Sequence, residues 1–270
     1  NSLILDDIRL KLNNANGTVL INSFYATEKK GNIEGMYTFI WDIATKQNMV
    51  SNASRFSDAV RDAVTDKRNL KNAFDHFYFD QVQPNADGGF TIIAEAATTS
   101  SNRNAFSRWD YFWGGPFYNP FIFSYWNRPF GFYPWARFGW GMMRPWGWGW
   151  GFGWNSWMMM SPFYGYGTPS VTYSAGKVAI LKFDAKANIQ SVKTIDKKQS
   201  DMNVDQFIGY GQIQNSAGTN FLYFNKTKGV RQIVHQQLNA SGNIIAGAPI
   251  VLNEKQLEWM PRSLKQVGEK

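Results

Sequence analysis

Catalysis needs groups that move protons, hold a metal or attack an electrophile, and this chain is short of them. Among its 270 residues cysteine is absent and only two histidines occur. That rules out a thiolate nucleophile, a disulfide framework and a thiolate metal site, though it assigns no compartment. His76 and His235 lie far apart without metal-ligand spacing, so each reads as an ordinary surface or strand histidine. Triad hydrolysis needs a histidine beside a nucleophile and an acid, and no such set is visible. The stretch GWGWGFGW has the glycine density of a phosphate loop, but no Lys-Ser/Thr helix start follows it. Among the carboxylates, Asp87 opens the turn DGG, Glu95 reads as the end of an alternating strand, and Asp205 and Glu254 have no companions nearby. The two acids of a glycosidase can be distant in sequence, so that chemistry stays open. The residues themselves predict no enzyme, no cofactor and no metal.

Binding chemistry is concentrated in one place. Residues 106–166 hold 26 aromatic side chains, including ten of the twelve tryptophans, with four arginines, one aspartate, no lysine and no glutamate. A large aromatic buries roughly 150–250 Å² when covered. Even ten bare rings would exceed the few hundred Å² of apolar patch that soluble monomers tolerate. A spanning helix is a poor reading, because Trp-Gly alternation and Pro145, Pro162 and Pro169 oppose helix formation. Three readings stand. The segment folds on itself as an aromatic-glycine core. It enters a membrane interface, where Trp, Tyr and Arg are favoured and arginines meet lipid phosphates. Or it anchors a protein partner, since Trp, Tyr, Met and Arg dominate interface cores, with Met142, Met143 and Met158 to Met160 adding adaptable contact. The second and third are compatible if the partner is itself in the membrane. Sugar stacking, with Asp110 or Asn127 on the hydroxyls, is a fourth reading that needs far fewer rings.

The net charge is +8. A basic balance suits nucleic acid or an anionic surface, but the densest run, KTIDKKQ from Lys193, is thin and reads as a solvated strand end. Nucleic acid is not an expected partner.

The elements that would carry these residues repeat. ANGTVLINSFYATE, ADGGFTIIAEAATT and SAGTNFLYFNK each place a turn with glycine before an alternating strand. Each is followed by a strand, a polar turn and another strand: the turns are DIATKQ, DAKANI and NASGNI, begun by Asp42, Asp184 and Asn239. Asx side chains favour such reversals by bonding the backbone two residues on. Three copies of a unit with at least three antiparallel strands are expected, a sign of a radial or stacked β architecture. Two insertions interrupt it. Residues 54–77 space Phe56, Val60, Ala63, Val64, Leu70 and Phe74 as an amphipathic helix, with Asp58 and Asp62 early and Lys67, Arg68 and Lys71 late. That helix packs on the sheet or docks a partner. The second insertion is 100–172, so the chain divides into 1–99, 100–172 and 173–270. The opening NSLILDDIRLKL alternates like a strand already under way, and no signal peptide is visible, as in a mature or trimmed chain.

The pattern DGGFTIIAE followed by VAILKFDAKANIQSV, with Lys182, Phe183, Asp184 and Asn188 in its second part, resembles the blade-like repeats of secreted β-propeller proteins of Bacteroidota cell surfaces. Copy three departs from it, keeping Gly242 but lacking the Lys-Phe-Asp step. The resemblance implies an all-β, propeller-like body of repeated antiparallel sheets, exported, often a lipoprotein, and a binding or assembly part. It supplies no catalytic residues, and three copies are too few to close a ring of blades. Together these readings lead to an expectation: a non-enzymatic accessory subunit at an outer membrane or cell surface, holding a membrane-embedded partner, such as an outer-membrane barrel, and lipid headgroups. The anchoring residues would be Trp113, Trp126, Trp135, Trp140, Trp146, Trp148, Trp150, Trp154 and Trp157, with Arg128, Arg137 and Arg144 on phosphates or carbonyls. A carbohydrate-binding or glycan-handling surface protein is the alternative.

Overall fold

The computed structural model describes residues 3–65, 69–101, 171–203, 207–227, 230–239, 241–251, 259–264 and 266. They are mostly strand, arranged in three antiparallel sheets with one α-helix. Sheet I is β1 (Ile4–Asn13), β2 (Thr18–Ala26), β3 (Gly35–Asp42) and β4 (Gln47–Arg55), neighbours in that order. After α1 (Asp58–Val64) and a 3₁₀ turn (Leu70–Asn72), sheet II follows as β5 (Phe77–Pro84), β6 (Phe90–Ser101), β7 (Val171–Phe183) and β8 (Ile189–Ile195), with β9 (Gln199–Met202) also on β7. Sheet III is β10 (Gly211–Asn215), β11 (Gly218–Thr227), β12 (Val230–Asn239) and β13 (Ile244–Ala246), with β14 (Ile250–Val251) also on β12. A 3₁₀ turn lies at Pro261–Ser263. Chain contacts divide the residues into two units, one of Asn1–Thr98, Ser174–Ser200 and Gln206–Lys270, the other of Thr99–Tyr173 and Asp201–Asp205. In the second unit, Val171 and Asn203 are tied twice: the Val171 N–H donates to Asn203 Oδ1 at 2.9 Å, and the Asn203 N–H to the Val171 carbonyl at 2.7 Å.

Each expected three-strand copy is a four-strand meander, because the hairpin before it uses the same local device. Asn13, Asp87 and Asn215 each accept the backbone N–H two residues on, from Ala15, Gly89 and Ala217. The later turns behave as their residue types predict. Asp42 accepts from Ala44 N–H at 2.9 Å, Asp184 from Lys186 and Asn188 at 2.9 and 2.8 Å, and Asn239 from Asn243 at 2.8 Å. Glycine is required where β11 starts: Gly218 has φ +138°, and a Cβ there would overlap the Leu238 carbonyl oxygen across the hairpin.

Strand alternation gives every sheet two faces. Leu20, Phe24, Met36 and Ile40 of sheet I share one core with Phe79, Phe90, Ile92 and Phe183 of sheet II. Rings stack through it: Phe24 on Phe79 at 4.2 Å, Phe56 on Phe74 at 4.1 Å, Phe90 on Phe183 at 4.8 Å between centroids. The opposite face of sheet II, with Ile93, Val178, Ile180 and Ile195, packs on Phe221 and Tyr223 of sheet III and on Tyr210, just before β10. Sheet II is therefore covered on both faces. A bulge in β1 adds a polar tie, with Asp7 at φ +56°. Its Oδ2 accepts the Phe79 N–H at 2.7 Å, while Arg9 donates to the Phe79 carbonyl at 2.9 Å.

The first insertion is less helical than its spacing predicts. Only Asp58–Val64 is α-helix; Ser54 and Arg55 belong to β4, and Phe77 begins β5. Ser57 caps the start by accepting from Val60 N–H, and Thr65 ends it in an extended conformation. Phe56, Val64 and Phe74 are buried as the period required, whereas Ala63, expected on the same face, is exposed, and a short helix and a 3₁₀ turn carry the segment. Lys67 and Arg68 lie outside the described residues.

Candidate functional site

The aromatic insertion connects two strands that are neighbours in sheet II. β6 and β7, at 12 and 13 residues, are the longest strands described, and the chain leaves at Ser101 and returns at Val171. Every proposed anchor lies outside the described residues: Trp113, Trp126, Arg128, Trp135, Arg137, Trp140, Arg144, Trp146, Trp148, Trp150, Trp154 and Trp157. So do Asp205 and Glu254.

Among the described residues, the densest polar chemistry is buried between sheets II and III. Glu95 is not the end of a strand but lies within β6, wholly buried, and its carboxylate meets the Lys197 ammonium in a direct ion pair. Arg262 approaches the second carboxylate oxygen at 3.7 Å. Lys197 also donates to Gln199 Oε1 at 2.9 Å, the same oxygen that accepts the Gly209 N–H. Gln199 in turn donates to the Phe224 carbonyl at 2.6 Å. Beside them the Tyr210 hydroxyl donates to Asp80, and the Lys197 ammonium lies 6.0 Å from the Tyr210 ring centroid. Lys197 thus departs from the expected solvated strand end; Lys193 and Lys198 are exposed, as that reading has it. Lys197 lies between β8 and β9, and its burial follows from its partners Glu95 and Gln199. A charge so enclosed is tolerable only when paired and hydrogen-bonded. With Glu95 and Lys197 both buried, the cluster locks two sheets together.

Arg61 is the second buried charge with a purpose. Its Nε donates to the Phe56 carbonyl, one terminal nitrogen to Leu70 and Lys71, and the other to Ile33 and Glu34, at 3.0–3.3 Å. Five guanidinium donors meet five carbonyls, which only arginine's fork can do. Glu34 supplies the countercharge at 3.5 Å. Nearby, burial and then Glu34 raise the Tyr25 hydroxyl above its ordinary pKa, while Arg55 and Arg61 pull it the other way. Sequence reading missed both cations. The one signal for Arg61 was its place three residues before Val64, on the same helical face.

A polar groove of about 640 Å³ lies between β4, α1 and β8, lined by Asn52, Ser54, Ser57, Asn188, Gln190 and Ser191 among others. Its polar groups are partly spent on structure, since Asn52 and Ser54 donate to the Ala187 carbonyl. Among the described residues that line it there is no aromatic ring. His235 bonds Asn220 at 2.9 Å, as expected of a strand histidine. Among the described residues no group of three or more His, Cys, Asp or Glu could hold a metal, and no helix is long and apolar enough to cross a membrane.

Fold and site together define the class as a β protein of three repeated antiparallel meanders with a long aromatic insertion in the second. No protein-family model and no curated protein matches the chain.

Proposed function

We propose that this chain is a non-enzymatic accessory subunit of an outer-membrane or cell-surface complex. Its propeller-like body carries insertion 100–172 as the anchor to a membrane-embedded protein and to lipid headgroups. The observation that carries the reading is the pairing of a composition with a position. A segment with 26 aromatic residues and no lysine or glutamate joins neighbouring strands of a sheet whose two faces are both already covered. A surface of that composition is suited to a partner or a headgroup zone. An exported setting follows from the resemblance to secreted propeller repeats.

Co-purification from membranes tests it. The full chain should bring down an outer-membrane barrel, and deletion of 106–166 should abolish that while leaving the strand signal in circular dichroism. Single Trp→Ala changes at Trp146, Trp148 or Trp150 should weaken capture in steps. Binding on a glycan array that one or two of these changes abolish, with no membrane partner recovered, would replace this reading with carbohydrate recognition.

A further inference from the structure

The three sheets follow one packing rule, and among the described residues it leaves the outer faces of sheets I and III without a sheet against them. Trp41, Phe183 and Leu238 each precede the residue that opens the third turn of their sheet, Asp42, Asp184 and Asn239. Phe183 at that position is buried against sheet I, and Leu238 packs into the core shared with sheet II. Trp41, in sheet I, meets no sheet on that face among the described residues and is only half-buried. Five residues earlier in each copy the rule runs the other way. Met36 is buried toward sheet II and Val178 toward sheet III, whereas Ile233 is half-exposed with no sheet beyond it among the described residues.

Both faces carry exposed apolar rows, although Asn220, His235 and Gln237 also lie on the outer face of sheet III and Pro261 and Leu264 pack on it at Gly211. On sheet I, Leu10 and Leu12 are 68% and 46% exposed, and the register sets them beside Ile21, Phe39, Val19 and Trp41. Phe39 and Trp41 stack at 6.1 Å. On sheet III, Ile245 and Ile250 are 51% and 57% exposed, and they pair with Gln237 and Ile233 on the outward face. Paired rows of this kind are the part of a repeat array that a neighbouring repeat covers.

We infer that the outer face of sheet I binds the outer face of sheet III from a second copy of this chain. The contact continues the two interfaces already inside the molecule. Sheet III presents Ile233 where sheets I and II present Met36 and Val178, and sheet I presents Trp41 where sheets II and III present Phe183 and Leu238. The contact is heterologous, so each copy has one donor and one acceptor face. It does not depend on the anchoring role of 100–172.

The absence of cysteine makes the test clean, because an introduced thiol is the chain's only one. Leu12→Cys marks the sheet I face and Ile245→Cys the sheet III face; Leu10→Cys and Ile250→Cys form a second pair. All four positions are exposed, and circular dichroism checks each fold. The full chain is studied in non-ionic detergent, so that contacts through 106–166 do not set the mass. Sedimentation should give at least twice the monomer mass. A thiol-thiol cross-linker should join a sheet I variant to a sheet III variant when the two are mixed, and should join neither to itself. A monomer at micromolar concentration, or Leu12→Cys cross-linking to itself, overturns the proposal. The deletion of 106–166 that breaks membrane capture should leave this cross-link intact, which separates the two failures.

Discussion

The two interfaces that cover sheet II solve one packing problem in opposite ways. Between sheets I and II the core is aromatic, with Phe24, Phe79, Phe90 and Phe183 stacking beside Leu20, Met36 and Ile40, and the polar ties of Asp7 and Arg9 go to the Phe79 backbone. Between sheets II and III the apolar cluster is smaller, and Glu95, Lys197, Arg262, Gln199, Asp80 and Tyr210 fill the remaining space. Hydrophobic burial scales with area and tolerates small shifts, whereas a buried ion network holds only one geometry. The first interface supplies most of the adhesion, and the second sets how sheet III sits on sheet II. The same repeat thus carries either filling, since its turns and strands are specified locally.

The comparison breaks most sharply at Lys197. Lys197→Met leaves the wholly buried Glu95 carboxylate with only the more distant Arg262, and loss of one partner of a buried pair costs about 3–5 kcal/mol. Chemical denaturation should show that loss. Glu95→Gln added to Lys197→Met should recover a good part of it, because the stranded charge is gone. Equal loss in the single and double variants would mean that Lys197 matters for packing alone. In the aromatic interface no such rescue exists. Phe24→Ala should cost about 3–5 kcal/mol through lost burial and a cavity, and Phe24→Leu, which keeps most of the volume, markedly less. A charge-type rescue at Phe24, or a cavity-type penalty at Lys197, would erase the distinction.

The contrast also marks what the sequence could reveal. The three sheets are legible because Asp42, Asp184 and Asn239 act within five residues of themselves, and alternation reports burial strand by strand. The helix is shorter than its spacing predicts because Phe56, Val64 and Phe74 meet a shared core, and such a requirement can be met by mixed local structure as well as by one long helix. The Glu95–Lys197 pair spans about a hundred residues across the insertion, and nothing local to KTIDKKQ distinguishes Lys197 from its exposed neighbours. Arg61 does not stand out from the charged residues around it in sequence, because its partners are carbonyls, which composition cannot show. For the candidate site, the sequence alone carries the argument, since its aromatic residues lie outside the described residues.

Arg61 sharpens the comparison from outside both interfaces. Arg61→Lys keeps the charge beside Glu34 but supplies three donors for five carbonyls. Leaving buried acceptors unpaired costs about 1–3 kcal/mol, and amide exchange should rise first in Ile33, Glu34 and the α1 segment. If the Arg61→Lys variant were as stable as the parent chain, charge alone would explain the residue and the fork geometry would be irrelevant.

The smallest effect is that of pH, and its sign differs at the two ends. Asp42 is held below the ordinary carboxylate range chiefly by the Thr45 hydroxyl and then the Ala44 N–H; Asp184 is held there chiefly by the Asn188 N–H. A lowered folded pKa gives stability that is present above the unfolded value, near about 4, and lost as pH falls through the folded value. Tyr25 and Tyr223 are raised, first by burial and then by Glu34 and Asp196 respectively. A raised folded pKa gives stability that is full below the unfolded value, near about 10, and lost as pH climbs through the folded value. Thermal melts should therefore hold a plateau between those limits and fall at each end. Asp42→Asn and Asp184→Asn should flatten the acid limb alone, and Tyr25→Phe the alkaline limb alone. The acid limb is shallow because the two aspartates are solvent-screened. An acid limb unchanged in the double aspartate variant would show that the two turn carboxylates do not set it.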